Sequence, residues 1–330
     1  MIKGKFAMQS KRLLTSSPKE LLSFNSKELL EAIKLSEART IVAIARTRGP
    51  NICDGVSNAE MCAAFGADII YNTLYDPRNP YIPGLPSKKP KEPDDEILSQ
   101  VQVDLGRGWT LRDLRELIGR PVGIQLFGTE KSYMKGQEAH MGRLLASREI
   151  ARLMVEQGAD IIDYTEHVAL GDLELIGSTI KELRDEIKDK AILSFSRIHG
   201  EGQSDIFSKK GVITEDEIRV ATEEGVDIVG IPAVGTSPGY TLEFTSKLVN
   251  FIHDCGALAH LVIGTSQEGT DIETVRRIGF YSKMTGAEMY GLSGAGLSEA
   301  MPTPENIMAL SIAIRGKRHT YRRMAMSPLR

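Results

Sequence analysis

The stretch GADIIDYTEH, residues 158–167, sets Asp163, Tyr164, Glu166 and His167 directly after two isoleucines. A second stretch, ILSFSRIHGE, ends an apolar run in Arg197, His199 and Glu201. Carboxylates and imidazoles near buried apolar segments suit general acid–base work, because partial burial moves their pKa values toward the working pH. Asp163, Glu166, His167 and His199 are therefore the candidate proton-transfer groups, with Arg197 to neutralise negative charge. Each has a plainer structural reading: an ion-paired carboxylate, a capping histidine, or an arginine paired with Asp163, Glu166 or Glu201. His260, inside ALAHLVIG, reads as a core residue.

Around these groups stand residues suited to gripping an anion. IVAIARTRG places Arg46 and Arg48 after an apolar run, and a guanidinium there can fork onto phosphate or carboxylate. Asn72, Gln125 and Glu201 complete the expected substrate-binding set. Three Gly/Ser/Thr turns follow later in the chain: GTSPG with Gly235, Thr236 and Ser237, GTSQEG with Gly264, Thr265 and Ser266, and GLSGAG with Ser293, Gly294 and Gly296. Glycine lets backbone amides approach an anion closely, and the hydroxyls add donors, so these turns predict a phosphate site. Tight turns without a ligand are the alternative.

Oxygen ligation of magnesium by Asp76, Asp163, Glu166 and Glu201 is a second chemistry open to this set, although no fixed ligand spacing marks it. A Schiff base is disfavoured, because Lys190 stands at the start of its apolar run rather than the end.

What must position these residues is visible in an internal repeat. FGADIIYNT, QGADIIDYT, EGVDIVGIPA, CGALAHLVIGT and TGAEMYGLSG each join a helix-ending glycine to a short apolar run. Eight such runs are expected as buried parallel strands, at 40–46, 67–74, 121–127, 159–165, 190–196, 226–232, 257–263 and 287–292. Helices are expected at about 57–66, 110–119, 137–157, 171–188, 214–224, 241–255, 271–285 and 303–324. Eight strand–helix pairs predict one α/β domain, a (β/α)8 barrel over 40–330, with an open doubly wound sheet as the alternative. Residues 1–39 read as an N-terminal extension whose helix at 18–35 closes the barrel floor. The proline-rich excursion 76–109, with Tyr81 and Trp109 as apolar anchors, reads as a lid-like insertion or a subunit contact.

Strand ends carry the site in such barrels, which gathers the candidates at one mouth. Period-two alternation puts Asp163, Thr165 and His167 on one face of their strand and Tyr164 and Glu166 on the other. Which face is the lumen is left open at this level.

The composition, 41% hydrophobic and 26% charged with a formal net charge of −3, disfavours nucleic acid and anionic membranes as partners. Cys53, Cys62 and Cys255 form no CxxC pair, so free thiols and a reducing compartment are expected. With no signal-like apolar run and no span of roughly 20 apolar residues, the expected location is the cytoplasm. The basic end AIRGKRHTYRRMAMSPLR reads as a solvated helix terminus, and a homo-oligomer is expected.

Two stretches, GPNICDGVSNAEMCAAFGADIIYNTLYD at 49–76 and PTPENIMALSIAIRGKRHTYRRMA at 302–325, carry a resemblance that spans nearly the whole chain. They resemble a bacterial barrel family labelled haloacid-dehalogenase-like hydrolase or phosphoenolpyruvate-phosphonomutase-like protein. The resemblance implies a TIM barrel. The chain has neither the DxDx[TV] strand end of the first label nor the EDK-like motif of the second. GADIIDYT is also similar to the strand pattern of phosphate-binding barrels such as the tryptophan synthase alpha subunit, a likeness at the level of fold. The combined expectation is an acid–base lyase or isomerase acting on a small phosphorylated or otherwise anionic metabolite. A magnesium-dependent hydrolase or C–C/C–P lyase is the first alternative, and a non-catalytic sensor of such a metabolite the second.

Overall fold

The computed structural model describes residues 11–47, 51–89, 105–128, 144–166, 172–198, 211–294, 296 and 300–330. Eight parallel strands close into a barrel in sequence order. They are β1 (Thr40–Arg46), β2 (Ile69–Thr73), β3 (Val122–Phe127), β4 (Ile161–Thr165), β5 (Ile192–Ser196), β6 (Ile228–Pro232), β7 (Leu258–Ile263) and β8 (Met289–Leu292). β8 pairs with β1, Met289 opposite Thr40, and that pairing makes the sheet a barrel rather than an open layer.

Ten helices are described: α1 (Pro18–Ser23), α2 (Ser26–Lys34), α3 (Asn58–Ala64), α4 (Leu111–Ile118), α5 (Arg148–Glu156), α6 (Leu173–Ile187), α7 (Glu215–Glu223), α8 (Leu242–Asp254), α9 (Ile272–Lys283) and α10 (Pro304–Ala325). Capping boxes start several of them: Ser57 with Glu60, Thr110 with Asp113, and Thr214 with Glu217. The helix expected over 18–35 is two helices, because Asn25 and Glu28 form a second capping box that restarts the chain. Of the one expected over 137–157, Arg148–Glu156 is helical, capped by Ser147; residues 137–143 lie outside the described residues. α10 breaks at Gly316, whose φ of 76° belongs to the left-handed region.

Burial sorts each strand into two faces. Ile41, Ile70, Ile124, Ile162, Leu193, Val229, Leu261 and Tyr290 join the core shared with the outer helices. Val42, Ile69, Ile161, Ile192, Ile228, Leu258 and Met289 face inward, and they cluster with Leu13, Leu21, Leu29, Ala32 and Ile33. The 3-10 turn Leu13–Thr15 and helices α1 and α2 thus plug the lumen from the N-terminal end of the strands.

The even-numbered strands each start two residues later than the repeat suggested, and the residue just before each of them explains why. Asp68, Asp160, Asp227 and Glu288 precede β2, β4, β6 and β8. Each carboxylate accepts the N–H of the neighbouring odd strand, Ile41, Val122, Leu193 and Ala259 respectively, at 2.9 Å in every case. Each also meets a basic side chain. Arg315 and Arg323 lie 2.5 and 2.8 Å from Asp68. Arg115 is 2.8 Å from Asp160, Arg184 is 2.5 Å from Asp227, and His253 is 3.1 Å from Glu288. The floor of the barrel is therefore a fourfold repeat of one hydrogen-bonded corner.

Of the excursion 76–109, residues 90–104 lie outside the described residues. The rest packs on the barrel. Ile82 and Leu85 are buried in the outer core, Tyr81 bridges to Arg107, and the Trp109 indole donates to Pro86 O at 2.7 Å.

Candidate active site

Period-two alternation continues inward from the apolar floor. Above Ile69, Ile161 and Ile228 the inward positions become Tyr71, Asp163 and Gly230, and above Met289 stands Gly291. The register gathers these four into one tier from the even strands. Val42, Gly123, Ser194 and His260 form the tier beneath from the odd strands, while Gln125 and Ser196 lie nearer the mouth. A lumen apolar at its base thus turns polar halfway up.

Asp163 is the centre of this polar zone and is 1% exposed. Its carboxylate accepts Ser196 Oγ at 2.7 Å, Thr165 Oγ1 at 2.9 Å and Gln125 Nε2 at 3.2 Å. Gln125 Nε2 also reaches Thr165 Oγ1 at 3.4 Å. All three donors are neutral side chains from β3, β4 and β5. Gln125, expected as a substrate ligand, is thereby committed in part to holding the carboxylate.

Deeper side chains fit because glycines stand opposite them. A Cβ at Gly123 would collide with the Tyr71 ring, and one at Gly291 would collide with the His260 imidazole. The two rings meet edge-on, centroids 6.0 Å apart and planes at 73°. Among the described residues neither His260 nitrogen has a hydrogen-bond partner, nor do Tyr71 Oη and Ser194 Oγ. Burial lowers the His260 pKa to about 3, so the ring is neutral. Expected as a satisfied core residue, His260 is core but not satisfied.

Tyr164, Glu166 and Arg197 fall on the opposite side, facing the helices. Tyr164 Oη donates to Glu166 at 2.8 Å. Burial, and after it the charge of Glu166, hold the Tyr164 phenol well above its usual pKa. Arg197 Nη2 lies 3.2 Å from Glu217 in α7, with both side chains fully buried. Glu217 also accepts the Thr214 N–H at 2.8 Å, and Tyr240 Oη accepts the Val212 N–H at 3.0 Å. This layer anchors the start of α7 behind the barrel. Arg197 and Glu166 are thus placed apart from Asp163 rather than beside it, because adjacent positions on a strand point to opposite faces. Asn72 shares the helix-facing side with Ile70 and is buried.

Within the magnesium set, Asp163 and Glu166 point apart for the same reason, the first inward and the second outward. Asp76, buried beyond β2, accepts the Arg78 N–H at 3.0 Å. Among the described residues no group of three His, Cys, Asp or Glu side chains gathers as a metal site. Arg48, His167, His199 and Glu201 lie outside the described residues.

At the mouth, Arg46 ends β1, its N–H donating to Ala300 O at 2.7 Å. Gly294 lies close against its side chain. Thr265 and Ser266 follow β7 with φ of 56° and 69°, left-handed conformations that non-glycine residues rarely hold. Their turn leads into the short 3-10 helix Gln267–Gly269. The Thr265 hydroxyl donates to Thr236 O and Gly264 O, and the Thr236 hydroxyl to Ala233 O at 2.8 Å. Gly235 at φ 79° turns the chain after β6, and Ser237 is buried beside it. Ser293 N–H donates to Ile263 O at 2.9 Å, and Gly296 fits tightly under Met301. The three turns do come together at one end of the barrel, but two of their threonine hydroxyls are spent on the backbone. Tyr71 was missed in the sequence reading; the signal for it was an aromatic two positions above Ile69 in the same period.

No described helix is long and apolar enough to cross a membrane. Cys53, Cys62 and Cys255 are free thiols, with Cys62 buried.

A family model, the domain of unknown function DUF7916, matches residues 14–330, and the chain belongs to that family. No curated protein sequence matches it. Among solved structures it is similar to an archaeal fructose 1,6-bisphosphate aldolase, at 13% identity and TM-score 0.50, over 87% of this chain and 100% of that one. It is also similar to 2,3-dimethylmalate lyase, a member of the PEP mutase/isocitrate lyase superfamily, at 16% identity and TM-score 0.45, over 82% of each chain. A thiamine phosphate pyrophosphorylase from Pyrococcus furiosus aligns at 14% identity and TM-score 0.44, over 85% of this chain and 97% of that one. Identities this low speak for the barrel alone. The haloacid-dehalogenase label gains no support from them.

Proposed function

We propose that this DUF7916 member is an enzyme of small-molecule metabolism that moves a proton on an anionic, phosphorylated metabolite, as a lyase or isomerase. One observation carries the reading: the Asp163 carboxylate, buried in the lumen, is held by Ser196, Thr165 and Gln125. Neutral hydroxyl and amide donors orient the carboxylate without a fixed counter-charge, the arrangement a general base needs. The turns after β6, β7 and β8, with the strained Thr265 and Ser266, would hold the phosphate through backbone amides. Arg46 at the rim would add charge, and the excursion 76–109 would close over the mouth.

Thermal-shift measurements with sugar phosphates, nucleotides and short carboxylic acids, with and without magnesium, should find a stabilising anion. Turnover of that compound by Asp163→Asn should fall by a factor of about 10²–10⁴. Undiminished turnover would remove Asp163 from the reaction.

A further inference from the structure

Tyr71 carries a hydroxyl for which the fold supplies no well-formed hydrogen bond among the described residues. The side chain is 1% exposed, its oxygen makes no well-formed hydrogen bond among the described residues and has the Ser194 hydroxyl as a polar neighbour, and a phenylalanine would fill the same space without a polar atom to bury. It occupies the tier of Asp163, and Gly123 on the intervening strand lets its ring lie across toward β4. His260 supports the ring from the other side of the lumen, edge to face at 6.0 Å between centroids.

We propose that Tyr71 is the second catalytic residue of the site, the donor to the oxygen on which charge collects while Asp163 removes a proton from the neighbouring carbon. This rests on the acid–base reading above and narrows the substrate to a small carbonyl compound with a removable α-hydrogen and a phosphate or carboxylate group. An Asp163 oxygen forms a new O–H bond as the substrate C–H bond breaks. The electron pair left on carbon forms the C=C bond of an enolate, and the π pair of the carbonyl moves onto its oxygen. The Tyr71 O–H donates a hydrogen bond to that oxyanion and keeps its proton. Return of a proton from Asp163 to the same carbon, with the electron pair moving back to restore the carbonyl, completes exchange with no net oxidation. Burial first, and then the Asp163 charge, raise the phenol well above its ordinary pKa. Tyr71 therefore stays a protonated donor, as an oxyanion partner must.

The test uses the full-length protein with dihydroxyacetone phosphate and with pyruvate in D2O, following loss of the α-proton signals by proton NMR. Wild type should exchange at least one probe faster than buffer. Tyr71→Phe should be at least about 100-fold slower, the usual loss for one oxyanion donor, with a Tm equal to or above wild type. A merely structural tyrosine would not combine unchanged stability with lost exchange. Exchange by Tyr71→Phe at the wild-type rate, with Asp163→Asn inactive, overturns the role of Tyr71 and leaves that of Asp163. Asp163→Asn exchanging at the wild-type rate overturns both. Wild type no faster than buffer on either probe overturns the carbonyl assignment, while the acid–base reading still stands or falls on the compound found by thermal shift.

Discussion

Two buried aspartates, 95 positions apart in the sequence, sit in opposite surroundings within one barrel, Asp68 among cations and Asp163 among neutral donors. Asp68, at the foot of β2, has the guanidiniums of Arg315 and Arg323 and the Ile41 N–H. Burial works against its charge, but the two arginines prevail and keep its pKa below the usual carboxylate range. Those arginines in turn grip backbone: Arg315 reaches Gly66 O, and Arg323 reaches Ser16 O and Leu13 O. The N-terminal plug, the foot of β2 and the end of α10 are thus tied through one carboxylate. Asp163, midway up β4, has three neutral side-chain donors instead. Similar burial thus comes with two kinds of partner: cations and backbone around Asp68, neutral side-chain donors around Asp163.

The largest separation between them should come from Asp68→Ala. It leaves Arg315 and Arg323 buried without their counter-charge and should cost about 3–5 kcal/mol in urea denaturation. A loss under about 1 kcal/mol would show that the carbonyl contacts alone hold the floor. Asp163→Asn keeps shape and most hydrogen bonds, so its stability should stay within about 1.5 kcal/mol of wild type while activity falls. A loss as large as that of Asp68→Ala would make Asp163 scaffold too.

Histidines sharpen the same contrast through pH. His260, in the lumen, is neutral in the fold with its pKa lowered to about 3 by burial. An unfolded histidine protonates near 6.5, so below that pH the unfolded state binds more protons and stability falls by up to about 1.4 kcal/mol per unit until roughly pH 3. His260→Gln should flatten this acid slope in pH-resolved denaturation. His253, at the β7–β8 corner, shifts the other way: hydrogen bonding to Glu288 raises its pKa. Its contribution is fully present below about pH 6.5 and fades as pH rises through the higher folded value. This half-exposed pair should be worth under about 1 kcal/mol, and His253→Ala should cost that stability on the acidic side of the profile and leave it unchanged above the raised folded value. A pH-independent difference between wild type and His253→Ala would contradict the assignment.

Much of the scaffold was legible before any coordinates. The eight apolar runs are strands, because burial on both faces leaves a continuous hydrophobic pattern. The glycine before each of five runs ends a helix as read. The repeat held more than was taken from it, since Asp68, Asp160, Asp227 and Glu288 recur at one position and CGALAH has none there. Spacing alone could not say that each acid reaches back to the neighbouring strand's N–H. The site was legible as a location and less so as a set of groups: Asp163 and Gln125 meet, whereas Glu166, Arg197 and Asn72 face the helices.

What the sequence determined by itself was therefore local. Period, caps and turn glycines depend on residues within a few positions of one another, and they specify strands, helices and the end of the barrel where polar groups collect. Only the tertiary structure decided which face of β4 is the lumen, that Arg197 reaches Glu217 in α7, and which aspartate receives cations. These outcomes depend on the closing of β8 against β1 and on a register in which a slip of one residue would turn every side chain to the other face. That register is a property of the closed barrel, to which each strand contributes one-eighth and which none contains alone.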